Sequence, residues 1–234
     1  MRPVLLIAGN FVREQRLVAL LLVAYAVVAS LFFGLMRDAS VDDMAFVLKQ
    51  ELIYAIFFSG FIALSSIYNE RKTRRLLSVL SKAVTRTQYI AGLLVGVQAI
   101  TWLYCLVIWV GGVWMLWGRG AVAQLTIMTS VAMIAALLAA AVALFFASFL
   151  PPIVATAAAG LLVALPVAVS RAAGPVWMDS LPLYNLGALI ANSPMGVRWF
   201  PAWQLLLIAL LEAIAFWLLA ALLFSTRDVA VAVE

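Results

Sequence analysis

The residues able to do chemistry in this chain are few and unevenly placed. There are ten acids, fifteen lysines and arginines, and no histidine. Without histidine there is no Ser–His or Cys–His nucleophile, no imidazole-held metal and no histidine proton relay. Asp42 and Asp43 are adjacent acids that could share acid–base work. They lie among Arg37, Asp38, Lys49 and Glu51, and the stretch Arg37–Glu51 reads as a solvated acidic loop. Glu212 is different, because it stands alone inside an apolar run. A carboxylate there is costly and faces a bundle interior or a cavity. It serves a substrate pathway or a subunit interface, or it is a carboxylate kept for structure only, protonated or paired with a polar group of a neighbouring span such as Gln98 or Thr101. Cys105 is the single cysteine, so no intrachain disulfide forms. None of Lys49, Lys72 and Lys82 follows the glycine of a phosphate-binding loop. No catalytic site, metal site or cofactor site is expected in this chain.

The densest charge lies in Asn69–Ile90. This stretch holds six of the fifteen basic residues, Arg71, Lys72, Arg74, Arg75, Lys82 and Arg86, against the single acid Glu70. Long apolar segments flank it on both sides. A basic segment between membrane spans stays on the cytoplasmic side. Leu76, Leu77, Val79 and Leu80 fall at i, i+1, i+3 and i+4, which makes one apolar stripe on a short helix. Ser81–Thr87 reads as a break before the next apolar run. A short amphipathic helix on the cytoplasmic face would dock a soluble partner; the bland alternative is a charged anchor that only holds topology.

The same stretch resembles the loop after the second span of ABC type-2 transporter permeases. The likeness rests on Glu70, on Arg74-Arg75-Leu76-Leu77-Ser78-Val79-Leu80-Ser81-Lys82, on Val84-Thr85-Arg86-Thr87-Gln88-Tyr89 and on Gly92. Ala83 stands where that family commonly has proline, Thr85 where it has serine, and Arg74 near its usual glycine. In the family this element is the coupling helix that receives the motion of an ATPase subunit. The resemblance therefore implies coupling roles for Glu70, Arg71, Thr73, Arg74, Arg75, Leu77, Ser78, Leu80 and Arg86. Arg74 and Arg75 would pair with acids on the partner, and Leu77 and Leu80 would pack into its groove. It further implies a separate ABC ATPase chain carrying the ATP and magnesium, and a second permease copy or sister permease completing a dimer.

Those residues need a scaffold, and the composition names its solvent. Of 234 residues, 67% are hydrophobic and 11% charged, with a mean hydropathy of +1.15. Soluble domains are about half apolar and a quarter charged. An all-α, polytopic membrane protein is expected, a single transmembrane domain over 1–234 with no room for a separate soluble domain. Met1–Arg16 alternates Leu5, Leu6, Ile7, Phe11 and Val12 with Arg2, Arg13, Glu14 and Arg16, the pattern of an interfacial amphipathic helix. Spans are expected at Leu17–Met36, Leu52–Tyr68, Tyr89–Trp117, Ala123–Leu150, Ile153–Ser170 and Trp203–Phe224. Pro151-Pro152 breaks the fourth from the fifth. The region 171–202 carries Pro175, Pro182, Pro194 and Pro201 with Trp177, Tyr184, Trp199 and Phe200. It reads as short amphipathic or re-entrant helices at the outer face, roughly Leu183–Ala191 among them.

Six spans put both termini on one side. Arg2, Arg13, Arg16, Arg227 and the six of Asn69–Ile90 would then lie inside, against Arg37, Lys49, Arg119, Arg171 and Arg198 outside. That bias puts both termini in the cytoplasm of a cell whose inner membrane holds the chain. Gly92-x-x-x-Gly96 and the alanine run Ala135–Ala143 allow close helix approach within the chain. Basic charge confined to loops argues against nucleic acid and for membrane lipid as the immediate partner. The expected function is a permease subunit moving an amphipathic or lipid-like substrate, driven by a separate ATPase. A non-transporting scaffold subunit or a free-standing secondary transporter would share the same layout, the latter weakened by a lone intramembrane carboxylate and no visible repeat.

Overall fold

The computed structural model describes residues 2–35, 40–72, 85–118, 120–161, 185–187, 190–191 and 203–226. Helices account for its regular structure, and no strand occurs among the described residues. In chain order they are α1 (Arg2–Glu14), α2 (Arg16–Gly34), α3 (Val41–Lys72), α4 (Arg86–Met115), α5 (Val122–Phe149), α6 (Pro152–Leu161) and α7 (Trp203–Thr226). Four of them, α3, α4, α5 and α7, are long and apolar enough to cross a membrane. The bent pair α1 and α2, with 67° between them, makes a fifth if counted as one span.

α5 is the centre. It is alanine-rich, and small side chains let neighbouring backbones come close. Ala135, Ala136, Ala140, Ala141 and Ala143 are buried where α3, α4 and α7 pack around it. The two apolar clusters mark the two ends of the bundle. One gathers Met44, Leu48 and Leu52 of α3, Ile108 and Met115 of α4, Leu125 and Met128 of α5, and Ala209 of α7. The other gathers Ile62 and Ile67, Tyr89 and Leu93, Leu144 and Ala147, and Ala220 and Phe224. So α4 runs opposite to α3, α5 and α7.

Local signals set the helix ends. At the start of α3, the Asp43 amide donates to Ser40 Oγ (3.1 Å), while the Ser40 amide donates to the Asp43 carboxylate (3.2 Å). Asp42 and Asp43 therefore sit in the first turn of a helix, where the exposed amides favour negative charge. The start of α4 is a capping box: Thr85 Oγ1 accepts from the Gln88 amide, and Gln88 Oε1 accepts from the Thr85 amide, both at 3.3 Å. Between α4 and α5, Gly118 and Gly120 take φ of +77° and +73°, values that side chains resist.

One expectation needs correction. The stretch Arg37–Glu51 is not an acidic loop, since α3 already begins at Val41. Met44, Ala45, Leu48, Leu52 and Ala55 bury one helical stripe, and Glu51 lies on it, ten residues past Val41. The second span thus opens well before Leu52. The N-terminal helix is present as α1, and α1 packs against the first half of α4. Gly92 and Gly96 make that contact possible. A Cβ added at Gly92 would lie 2.6 Å from Ile7 Cβ, and one at Gly96 would lie 2.7 Å from the Phe11 ring.

Candidate functional site

The polar chemistry inside the bundle centres on Glu51. Its side chain is 5% exposed. Both carboxylate oxygens are used: Tyr25 of α2 donates to Oε1 at 2.9 Å, and Tyr104 of α4 donates to Oε2 at 2.5 Å. Three helices therefore meet on one carboxylate. Hydrogen bonds to an ionisable group are shorter and stronger than neutral ones, and an unpaired acid at this depth would be costly. Tyr104 is 1% exposed, whereas Tyr25 is 44% exposed and forms the outer lip. Phe58 meets the Tyr104 ring edge to face, with centroids 5.7 Å apart, and holds it in place.

About two helical turns further along α3 lies a second knot. Ser59 Oγ donates to the Ala136 carbonyl at 2.7 Å. Gln98 Nε2 donates to the same carbonyl at 3.2 Å and to Ser59 Oγ at 3.3 Å. Gln98 Oε1 is buried and has no hydrogen-bond partner among the described residues. Thr101 bonds its own helix at Val97 O. Neither residue hydrogen-bonds Glu212. Glu212 is half-buried on α7, and no described residue hydrogen-bonds it.

The expected coupling residues divide three ways. Thr73, Arg74, Arg75, Leu77, Ser78 and Leu80 lie outside the described residues, as do most of 171–202 and the last eight residues. Glu70 and Arg71 belong to the last turns of α3. Arg86 opens α4, and its Nη1 donates to the carbonyl of Phe224 on α7 at 3.1 Å. Tyr89, one turn on, stacks on the Phe224 ring at 5.8 Å and 18°. The start of α4 and the end of α7 are thus tied together, and Ile67 near the end of α3 is buried in the same apolar cluster.

At the opposite end, Lys49 Nζ donates to the carbonyl of Ala191 at 3.3 Å. Leu186 and Ile190 are buried in the same apolar cluster as Leu48 and Leu125. The few described residues of the proline-rich region therefore lie at the end remote from Arg86.

Glu51, Tyr25 and Tyr104 are absent from the sequence-based site. A signal existed for the first of them: Met44, Leu48, Glu51 and Ala55 fall at i, i+4, i+7 and i+11, one face of a helix. The two tyrosines carry no such mark, because each lies in an otherwise apolar span. No family model matches the chain, and no curated protein matches it.

Proposed function

We propose that this chain is the permease subunit of an ATP-driven transporter of the ABC type-2 class, working as a dimer over separate ATPase subunits. The reading rests first on the segment between α3 and α4. It is basic, it carries an apolar helical stripe, and it follows the pattern from Glu70 through Arg86 described above. Its two flanks are long apolar helices, and Arg86 bonds the end of α7. A push on the segment would be felt at once by three helices.

The helix directions support a six-span layout with both termini on one side. α5 ends beside Tyr89 and Phe224, whereas Leu186 and Ile190 lie at the other end with Leu48. The chain between Phe149 and Asn185 therefore joins opposite ends of the bundle. α6 is the beginning of that passage, and Ile153–Ser170 is long enough to complete it. α7 then returns to the Arg86 end. With that end cytoplasmic, the ten-to-five bias of basic residues falls as the positive-inside rule requires. The cargo proposed is amphipathic or lipid-like, since among the described residues the interior offers isolated polar groups and no continuous charged path.

Affinity purification of the full chain in mild detergent tests the reading. An ATPase should co-purify, and its hydrolysis rate should change when this subunit is present. Reversing Arg74 and Arg75 to glutamate should uncouple hydrolysis from transport while leaving insertion intact. Loss of insertion alone would make the stretch a topology anchor. Glu212→Gln with unchanged transport would leave that acid without a part in the pathway.

A further inference from the structure

α1 and α2 hang on α4, and α2 makes only slight contact with α3. Glycines of α4 seat both. Gly92 and Gly96 take Ile7 and Phe11 of α1, and a Cβ added at Gly111 would lie 2.6 Å from Ser30 Cβ of α2. The edge of α2 toward α3 is different. Tyr25 donates to Glu51 Oε1 at 2.9 Å, and from that bond toward the start of α2 the two helices part. Val18, Leu21 and Leu22 face Phe58, Phe61 and Ile62 across an apolar cleft of about 320 Å³. Leu21 and Phe61 remain about two-thirds exposed. Apolar side chains in a membrane gain little by leaving lipid for one another, so helices there are held by close packing and by hydrogen bonds. α2 has close packing on α4. Toward α3 it has the Tyr25 bond.

We propose that α2 is a gate against α3, carried with α1 on α4, and that the hydrogen bond from Tyr25 to Glu51 is its latch. The two tyrosines then have different tasks. Tyr104 is 1% exposed and its ring is held by Phe58, so it stays on Oε2 when α2 moves. Glu51 is thus not left without a donor in the interior. Tyr25 is 44% exposed at the lip, and its hydroxyl can leave by breaking one bond. Opening moves α2, with α1, around α4 and away from Phe58 and Phe61. α1 rides on the first half of α4, which begins at Arg86 beside the basic stretch. In the transporter reading, a displacement of that stretch would reach the gate through α1; this link rests on that reading, and the latch itself does not.

The test follows a cysteine pair, Leu21→Cys with Phe61→Cys, in the full chain in nanodiscs, with Cys105→Ala to remove the native thiol. The rate of cross-linking by a short bis-methanethiosulfonate reads how often the two sides of the cleft stand together. Tyr25→Phe should slow it about ten-fold, the scale of one hydrogen bond to a charged group. Glu51→Leu with Tyr104→Phe removes the acceptor and leaves no stranded hydroxyl on α4, and it should slow the rate as much. Adding Tyr25→Phe to that double variant should then change nothing further. A second pair, Val4→Cys with Leu93→Cys across α1 and α4, should cross-link at an unaltered rate throughout, which a loss of the fold would not allow. An unchanged or faster rate in Tyr25→Phe, a further slowing on top of the double variant, or an equal slowing at the second pair would overturn the latch. No ATPase enters the measurement, so its failure and that of the transporter reading are told apart.

Discussion

Tyr104 reaches from α4 to Glu51 on α3, its hydroxyl 2.5 Å from Oε2, and both side chains are buried. The pair behaves as a unit. Replacing Glu51 with alanine would strand the Tyr104 hydroxyl in an apolar interior, at a cost of about 1–3 kcal/mol. Replacing both, as Glu51→Leu with Tyr104→Phe, removes acceptor and donor together. The double variant should recover most of the loss of Glu51→Leu alone. Unfolding in graded mixed detergent measures each stability. Additive losses would show that the two side chains do not lean on one another.

Much of this architecture could be read from hydropathy alone. The runs that became α4, α5 and α7 differ from their expected bounds by a few residues, because each is apolar all round and closed by glycine, proline or a polar cap. The error fell on α3. Its first turn is acidic, and such charge reads as a loop, although Met44, Leu48 and Leu52 keep a helical beat. Glu51 was misplaced for the same reason. Its buried setting depends on Tyr25 and Tyr104, and partners 26 and 53 residues away leave no local trace. Gly92 and Gly96 were legible as a close-packing pair, but the helix that fills them was not.

That filling helix gives the second prediction. Ile7 and Phe11, four residues apart on α1, sit over Gly92 and Gly96, four apart on α4. Gly92→Ala would set a methyl 2.6 Å from Ile7 Cβ and 3.1 Å from the Val4 carbonyl. Backbone and Cβ cannot yield as a side-chain tip can, so α1 must lift, at about 1–3 kcal/mol. A cysteine pair placed at Val4 and Leu93 should cross-link less readily in that variant. Ile7→Ala should restore part of the cross-linking. Unchanged cross-linking in Gly92→Ala would mean that α1 is not seated by the glycines.

Gln98 tests whether a buried polar side chain earns its place by stability. Its amide donates to Ser59 Oγ and the Ala136 carbonyl, but that carbonyl keeps the Ser59 hydroxyl, and Gln98 Oε1 has no partner among the described residues. Gln98→Leu removes two long bonds and one orphaned oxygen together. The net cost should stay within about 1 kcal/mol. Gln98→Glu should cost several times more, because it sets a carboxylate against a carbonyl with its donors gone. A loss above about 3 kcal/mol for the leucine variant would show that Oε1 is engaged in the intact protein.

Arg86 closes the loop between the first turn of α4 and the last turns of α7. Phe224 lies two residues from the end of α7, so its carbonyl has no amide of that helix to receive. The guanidinium supplies the donor, and a cation suits a helix C-terminus. Arg86→Ala should therefore loosen the last turn of α7, not the bundle as a whole. Amide exchange at Ala220–Phe224 should rise by about ten- to a hundred-fold, the scale of a hydrogen bond involving a charged group. Exchange near Ala209 and Ala213, at the other end of the same helix, should not change. Arg86→Lys should restore part of the protection, since it returns the charge without the reach of the planar fork. If exchange rose equally along α7, the arginine would be holding the whole helix against the bundle and not capping its end.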